Sequence, residues 1–432
     1  MSGDVRDAGL YSRYVAFIRA ALTLVREHQN GQPAPTRLRT KVRRQDARTT
    51  QIEGEQEPDI FFLLVPYFDA LKSLTEFESL HAYILSSPLA DHVFVDAGNK
   101  PIEQAESQSW WLMNFYVVPL LTRYIGPELV LDFEEGRARS VYAGFEAFLE
   151  STQVTYSIVA PLEWFEGPDE EVRLNATTVL RKLSEGEIQY LWHLGEFGGI
   201  VDRHQALGMS FCLETTQVAE KNAPVDFSEV YVDLIRVVTA LRLLKSGQVG
   251  IPVVTQRSCG PAFGPGGSTA TSGPSPASMG PRYVLTLGER GDLLSVYEAL
   301  TQGTVPKQLK VALDRFNYAY NRTRPDDRLI DYWIALEALF LPDEPPQELR
   351  YRASLRVAYF VSQGPEEREE TFTQIRRSYD VRSAIVHGRE SEDAPQIAQF
   401  TEDVLRRALR RAVVAPESLD TQQLDKLILR GS

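Results

Sequence analysis

The chain has 432 residues, of which 43% are hydrophobic and 24% are charged, and its formal net charge is −13. This length predicts at least two domains, and the composition is that of a globular protein with a sizeable core rather than a disordered chain. The acidic balance argues against a protein that coats nucleic acid through a broad basic surface, because binding to the phosphate backbone depends on Lys and Arg.

Cysteine content and hydropathy both favour a cytoplasmic protein. Two cysteines, Cys212 and Cys259, are too few for a disulfide framework and match no zinc-binding pattern. The apolar N-terminal run is interrupted by Arg13 and Arg19, which is typical of an amphipathic helix and not of a signal peptide. No window has the roughly 18 uninterrupted apolar residues that a membrane span needs, so no membrane partner is expected.

Residues 1–150 are predicted to be rich in helix. The first helix is followed by a basic, turn-rich stretch at residues 31–54, which we interpret as a solvated linker or loop, with a nucleic-acid-binding arm as the alternative. Apolar runs at helical spacing then alternate with short polar turns over residues 58–150. We expect this region, together with the α/β region that follows it to residue 303, to sense or restrain the C-terminal part, through a regulatory protein or ligand.

Residues 151–303 are predicted to form a mixed α/β region. Strand-like runs rich in β-branched and aromatic residues begin at Val154 and alternate with helical runs, one of which starts at a capping box of Ser184 and Glu187. Residues 258–281 are a low-complexity Gly, Pro and Ser segment that cannot bury enough apolar surface to offset the entropy of ordering. We therefore predict a disordered loop inserted at residues 258–281.

The same region contains the pair of residues that most suggests a metal site. His193 and His204 lie eleven residues apart with acidic residues nearby, but this spacing fits no tight ligand pattern. The sequence has no phosphate-binding glycine loop, dinucleotide fingerprint or zinc-protease motif. Neither a metal nor a cofactor is expected.

Residues 304–432 are predicted to be a helical bundle, which makes the whole chain α+β. Apolar positions recur at helical spacing, breaks between the runs are short, and no long strand pattern occurs. The dipeptide Gly364-Pro365 is typical of a helix start. From Thr304 onward there are 20 Lys and Arg against 21 Asp and Glu, so this nearly neutral part is compatible with a local phosphate site.

Two segments of this part carry the candidate chemistry, DRLIDYWIALEALF at 327–340 and YDVRSAIVHG at 379–388. His387 follows Arg382 by five positions, which puts the two about 140° apart on a continuous helix, so that they could not share one face. Gly388 is suited to the left-handed position just beyond a helix end. We expect the helix to end there, with the imidazole of His387 free to turn toward Arg382.

These two segments resemble the signature of the Apea-like branch of the HEPN family, over roughly residues 305–412. The resemblance implies a compact helical bundle and metal-independent cleavage of RNA that leaves a 2′,3′-cyclic phosphate and a 5′-hydroxyl. Arg382 would bind phosphate and His387 would act as general acid or base. It further implies a homodimer in which two motifs face each other, and a role as a toxin or phage-defence effector.

Four other residues are expected to support the motif. Ser383 stands where active members of the family have Asn, Asp or His, and it can still donate and accept a hydrogen bond. Tyr379 or Asp380 is expected to orient the arginine or the histidine in its place. Glu337 is a polar group on an apolar helix, and we favour a buried ion-pair partner, with Arg382 as the candidate, over a catalytic acid.

Two other hypotheses remain open at this point. The same helix end would serve equally as a non-catalytic HEPN module that binds a nucleotide, nucleic acid or a partner protein. Alternatively, the helices only mediate self-association. Catalysis predicts that His387 is exposed and close to the Arg382 of a symmetry-related chain. Binding tolerates a lone exposed pair of Arg382 and His387, and a scaffold predicts that the pair is buried.

Overall fold

The protein has an α+β architecture, with helical segments at both ends of the chain and an antiparallel sheet between them in sequence. A computed structural model describes residues 5–29, 32–44, 50–96, 100–197, 202–221, 227–260, 263, 268–272, 281–302, 305–342 and 348–430. Within these ranges, no helix combines the length and the apolar character that crossing a bilayer requires.

The N-terminal part folds as the predicted set of helices around its own hydrophobic core. Helix α1 (Ala8–Gln29) is amphipathic, and its buried residues recur every three or four positions from Leu10 to Val25. Residues of the following helices complete this core. These helices are α2 (Ile60–Leu64), α3 (Phe68–Lys72), α4 (Thr75–Leu85), α5 (Ala90–Val93), α6 (Ala105–Leu112), α7 (Val118–Ile125) and α8 (Glu135–Glu150). A π-helical segment, Met113–Val117, joins α6 to α7.

The prediction of a solvated linker at residues 31–54 is wrong over two strands. Strands β1 (Thr36–Arg44) and β2 (Thr50–Pro58) pair antiparallel. Three basic residues of β1 lie opposite glutamates of β2, namely Arg37 opposite Glu57, Arg39 opposite Glu55 and Lys41 opposite Glu53. Opposite charges on directly paired residues stabilise a ribbon. The basic run of β1 therefore pairs with acidic residues of β2. This pairing is not visible when the charge of each segment is counted separately.

A six-stranded antiparallel sheet forms the middle of the chain, in the order β5-β6-β7-β3-β8-β9. The strands are β3 (Gln153–Leu162), β4 (Phe165–Glu166), β5 (Val172–Arg173), β6 (Thr178–Lys182), β7 (Phe211–Glu220), β8 (Val253–Ser258), β9 (Ser268–Ser272) and β10 (Tyr283–Val284), of which β10 pairs with β4 outside the sheet. The helices are α9 (Glu185–Phe197), α10 (Arg203–Gly208), α11 (Phe227–Leu244) and α12 (Arg290–Gln302).

Both faces of this sheet are covered by helices. Successive side chains of a strand point to opposite faces, so neighbouring residues belong to different cores. In β3, Ile158 and Ala160 belong to the core that contains α11, whereas Val159 belongs to a smaller core with residues of α9 and α10. The predicted capping box starts α9, since the Glu187 amide donates to Ser184 Oγ at 3.3 Å and the Ser184 amide donates to the Glu187 carboxylate at 2.8 Å.

The disordered loop predicted at residues 258–281 is wrong for one segment. Ser268–Ser272 forms β9 and pairs antiparallel with β8, with Ala270 opposite Thr255. Backbone hydrogen bonds to the neighbouring strand satisfy this short segment although its side chains are small and polar. Residues 261–262, 264–267 and 273–280 of the predicted loop lie outside the described residues.

The C-terminal part consists of consecutive helices, as predicted. They are α13 (Lys307–Ala319), α14 (Pro325–Phe340), α15 (Leu349–Val361), α16 (Pro365–Val386), α17 (Ala394–Val414) and α18 (Thr421–Arg430). Helix α14 packs against α13, α15, α16 and α17. The strongly apolar pattern of α14 fits this position, since Trp333 and Leu336 have no exposed surface.

One hydrophobic core extends across the predicted domain boundary. Buried side chains of the sheet, of α11 and of α13 to α18 belong to the same cluster. Buried polar contacts cross it too, because the Arg406 Nε donates to the Arg242 carbonyl at 2.8 Å and Arg242 Nη1 donates to Asn317 Oδ1 at 2.9 Å. Residues 303 and 304, where the boundary was predicted, lie outside the described residues.

The last helix is attached through a buried arginine. Arg356 of α15 donates to both carboxylate oxygens of Asp425 in α18, at 2.8 and 2.7 Å, and to the Phe340 carbonyl at 2.7 Å. The Arg356 side chain is 3% exposed and that of Asp425 is 44% exposed. The hydrogen bonds from Arg356 lower the pKa of Asp425.

We expect Asp425→Asn to lower the free energy of unfolding at pH 7 by about 1–3 kcal/mol, because the buried guanidinium of Arg356 loses its charged partner. The partial exposure of Asp425 to solvent keeps the loss below that of a fully buried ion pair. The folded-state pKa of Asp425 is lowered, so its contribution is complete above the unfolded value of about 3.9 and is lost as the pH falls through the folded value. Urea unfolding should therefore show a difference between variant and wild type that narrows below about pH 4.

Asp292→Asn is the matched control for this measurement. Asp292 pairs with Arg410, and the two side chains are 62% and 41% exposed. Exposed pairs contribute little, so the change should stay within about 0.5 kcal/mol. Equal unfolding curves for the two variants at pH 7 would contradict the role given to Arg356 and Asp425.

Candidate functional site

The candidate motif lies at the C-terminal end of α16. This helix begins as the sequence predicted, with Gly364 as its extended N-cap and Pro365 in its first turn. It packs against α14, α15 and α17, and its buried residues are Thr371, Ile375 and Ser378. These positions recur every three or four residues, so they fix the side of α16 that faces the core.

Hydrogen bonds of three fully buried side chains hold α16 in register with two neighbouring helices. Trp333 of α14 donates its indole N–H to Ser378 Oγ at 2.8 Å, and Ser378 Oγ lies 2.7 Å from Thr401 Oγ1 of α17. Thr401 donates its hydroxyl to the Ile397 carbonyl at 2.7 Å. Because each hydroxyl has one proton, Ser378 must donate to Thr401. Every donor in this series is therefore satisfied.

The end of α16 has the geometry that the sequence predicted for Gly388. His387 is the C-cap, and Gly388 has a positive φ of 76°. The Gly388 amide donates to the Ile385 carbonyl and the Arg389 amide donates to the Ala384 carbonyl, both at 2.9 Å. These two bonds close the helix end in a Schellman motif. His387 is thus held at the last position of the helix.

Arg382 is a half-buried guanidinium with a loose ion pair. Its Nη2 lies 3.5 Å from Glu337 Oε2, and the two side chains are 22% and 29% exposed. A charge-assisted hydrogen bond is normally about 2.7–2.9 Å long, so this pairing leaves donor capacity unused. The Arg382 Nε is buried without an acceptor among the described residues. Burial raises the pKa of Glu337, an effect that Arg382 partly opposes.

The predicted partner role of Glu337 is thus consistent with the structure, whereas that of Asp380 is not. Asp380 pairs with Arg350 of α15 instead of orienting Arg382 or His387. Tyr379 packs edge-on against Trp333, with ring centroids 5.0 Å apart, and its ring lies 5.8 Å from the Arg382 guanidinium. The Tyr379 ring is therefore within cation–π distance of the arginine.

His387 is exposed, as the catalytic hypothesis requires. The scaffold hypothesis predicts a buried residue at this position. The expectation that its imidazole turns toward Arg382 is not met within one chain, since no hydrogen bond or ring contact joins them among the described residues. The capping residue continues the helical turn, with φ −87° and ψ 14°, which keeps the two side chains on different faces. The Ser383 carbonyl accepts a hydrogen bond from the His387 amide at 3.1 Å.

Two residues that matter for this geometry were not predicted from the sequence. Ser378 is inconspicuous in a polar helix, and only the need of the buried Trp333 indole for an acceptor signals a nearby hydroxyl. Arg350 lies about thirty residues before its partner Asp380, and no local pattern links them.

No group of three or more His, Cys, Asp or Glu side chains among the described residues is arranged to hold a metal ion. The side chain of His204, the candidate metal-site partner of His193, lies outside the described residues. Cys212 is buried and Cys259 is exposed, and both are free thiols.

We expect Ser378→Ala to lower the free energy of unfolding by about 1–3 kcal/mol, because it leaves the buried Trp333 N–H without an acceptor. Urea denaturation followed by circular dichroism measures this change. Ser383→Ala is the matched control, since it removes the same hydroxyl from a partly exposed position of the same helix and should change stability by less than about 0.5 kcal/mol. If both variants unfold alike, Ser378 does not hold α16 as described.

The last two turns of α16 thus carry an exposed imidazole and a loosely paired arginine, which lie on different faces of the helix. No family model, no curated protein and no solved structure matches this chain.

Proposed function

We propose that this chain is a HEPN-like, metal-independent endoribonuclease, with Arg382 binding phosphate and His387 acting as general acid or base. The observation that carries the proposal is the exposed His387 at the capped end of α16, about one and a half turns from Arg382. The fixed helix end and the buried series from Trp333 to Thr401 support it further, because both hold these side chains in place.

The chemistry needs a proton acceptor, a proton donor and a cation. A base removes the proton of a ribose 2′-hydroxyl, the 2′-oxygen attacks the adjacent phosphorus, and the bond from phosphorus to the 5′-oxygen breaks as that oxygen takes a proton. The products are a 2′,3′-cyclic phosphate and a 5′-hydroxyl. An imidazole can perform either proton transfer near neutral pH. The planar fork of Arg382 would stabilise the charge on the phosphate oxygens.

Arg382 is suited to an anionic ligand because its present partner is weak. Glu337 lies 3.5 Å away and its pKa is raised by burial, so its carboxylate is poorly stabilised as an anion. A phosphate offers shorter, bidentate contacts to the same guanidinium. We infer that phosphate replaces Glu337 when substrate binds.

The separation of Arg382 and His387 on one helix favours a homodimer. One chain supplies a single motif imidazole, whereas the reaction benefits from both an acid and a base. Two helix ends facing each other across a cleft would supply two imidazoles and two arginines. We propose that the dimer forms through the 379–388 helix end.

The biological role that fits such an activity is that of a toxin or phage-defence effector, with the N-terminal helices and the sheet restraining or sensing. This assignment is supported only by the resemblance of the 327–340 and 379–388 segments to HEPN proteins. The core that the C-terminal helices share with the sheet offers a direct route for such control.

A non-catalytic HEPN module that binds a nucleotide, nucleic acid or a partner protein is the second candidate. The specific observation in its favour is that Arg382 pairs with Glu337, while no hydrogen bond or ring contact joins it to His387 among the described residues of one chain. Ser383, in place of the Asn, Asp or His of active relatives, points the same way. Binding without cleavage would identify this alternative.

The ribonuclease proposal predicts that His387→Ala lowers RNA cleavage about 10²- to 10⁴-fold, because a proton-transfer group is lost. Arg382→Ala should lower it about 10²- to 10³-fold, and Arg382→Lys should recover only part, since an ammonium lacks the planar fork. Purified protein is incubated with cellular RNA in EDTA, and the new ends are analysed for 2′,3′-cyclic phosphate.

His28→Ala is the matched control in this assay, since His28 is an exposed histidine on α1, far along the chain from the motif. It should cleave like the wild type. Cleavage by His387→Ala at the wild-type rate would remove this histidine from the mechanism. Tight RNA binding with no cleavage by any variant would favour the non-catalytic module.

The dimer proposal predicts that excess His387→Ala protein inhibits the wild type. After the chains exchange, most wild-type chains would be paired with a variant chain, and each cleft would hold a single imidazole. Specific activity per wild-type chain should then fall at least several-fold, whereas excess His28→Ala should add its own activity. Sedimentation of the wild type checks the mass, and a monomer with unaffected specific activity would sink the proposal.

A further inference from the structure

One face of α16 leads along the helix to His387 and remains partly open to solvent. At 100° per residue, Phe372, Arg376, Ser383 and His387 lie within about 60° of one another, and the centre of this group is about 125° from the centre of the buried positions of α16. All four are partly or fully exposed. From Arg376 to His387 this face is about 16 Å long.

An aromatic platform stands at the start of this face. Tyr351 of α15 has 51% of its surface exposed, and its ring packs edge-on against Phe372, with centroids 5.7 Å apart at 83°. The Arg376 guanidinium lies 5.4 Å from the same Phe372 ring. The edge contact fixes the tyrosine ring while a broad part of it stays open to solvent. An exposed ring held in this way can stack on a flat ligand.

The charges along this face favour an anionic ligand. Within the described residues, no ion pair involves Arg376 or Arg389, the residue after Gly388. Asp380 lies at the edge of this face, and it forms an ion pair with Arg350. On the N-terminal side of Phe372 the helix is acidic, with Glu366, Glu367, Glu369 and Glu370. The favourable stretch is therefore bounded, from the tyrosine platform to the histidine.

We infer that this face binds single-stranded RNA, with one base stacked on Tyr351 and the backbone running past Arg376 toward His387. The inference rests on the proposed function and specifies its substrate class. A base can stack on a side chain only when its own face is free, as in single strands, loops and bulges. An acidic peptide would satisfy the arginines but would make no use of the exposed ring. The platform thus selects an unpaired base a few nucleotides from the scissile bond.

The test measures binding in the full-length His387→Ala protein, so that cleavage does not consume the probe. Fluorescence anisotropy follows a short labelled RNA, either single-stranded or annealed to its complement. Tyr351→Ala should weaken binding of the single strand about 5- to 150-fold, the range for loss of one stacked base, while Tyr351→Phe should stay within about 2-fold. Arg376→Ala should weaken binding and reduce its salt dependence by about 0.7 in the logarithmic slope.

Tyr318→Ala is the matched control, because Tyr318 is a 53% exposed tyrosine on α13 of the same set of helices. It should bind RNA like the parent protein. The thermal unfolding of Tyr318→Ala and Tyr351→Ala should be alike. Three results would overturn the inference. They are no binding of the single strand, equal binding of it by Tyr351→Ala and Tyr318→Ala, or competition by duplex RNA or an acidic peptide as strong as competition by the single strand.

The two proposals fail in different ways. If His387→Ala does not change cleavage, the catalytic role of the histidine is lost, yet the anisotropy result still decides whether Tyr351 stacks on a base. If cleavage depends on His387 but binding does not depend on Tyr351, the ribonuclease proposal stands and only the platform is refuted.

Discussion

The hydrogen bond of one buried indole determines how the candidate site is presented. Trp333 has no exposed surface, so its N–H must find an acceptor inside the protein, and it finds Ser378. Together with the burial of Thr371 and Ile375, that contact sets the rotation of α16 about its own axis. With Ser378 turned inward, the residues that lead to His387 are turned outward. A core requirement of α14 thus decides which side chains of α16 can meet a ligand.

How much of this could be predicted differs from one residue to the next. The helices after residue 304 and the end of α16 at Gly388 follow from local rules, because periodicity and the left-handed preference of glycine are properties of neighbouring residues. The contact between Asp380 and Arg350 joins two helices, and no local rule contains it. The hairpin of β1 and β2 was missed for a similar reason, since its stabilising charges belong to two separate runs.

Arg382 and Glu337 illustrate a compromise between stability and binding. A half-buried arginine needs a counter-charge, but a short bidentate partner would compete with any anionic ligand. The observed distance of 3.5 Å and the raised pKa of Glu337 describe a partner that neutralises the site without saturating it. Under the proposed function, the pair stabilises the folded chain and phosphate takes the place of Glu337 when RNA binds.

The core shared between the sheet and the C-terminal helices limits how freely this chain can be divided. Leu309 and Phe316 of α13 are buried in the same cluster as Val237 of α11, and Arg406 donates to a carbonyl of α11. A fragment that begins near residue 304 would carry these surfaces uncovered and would tend to aggregate. The sheet and the C-terminal helices are therefore expected to unfold together, as one cooperative unit.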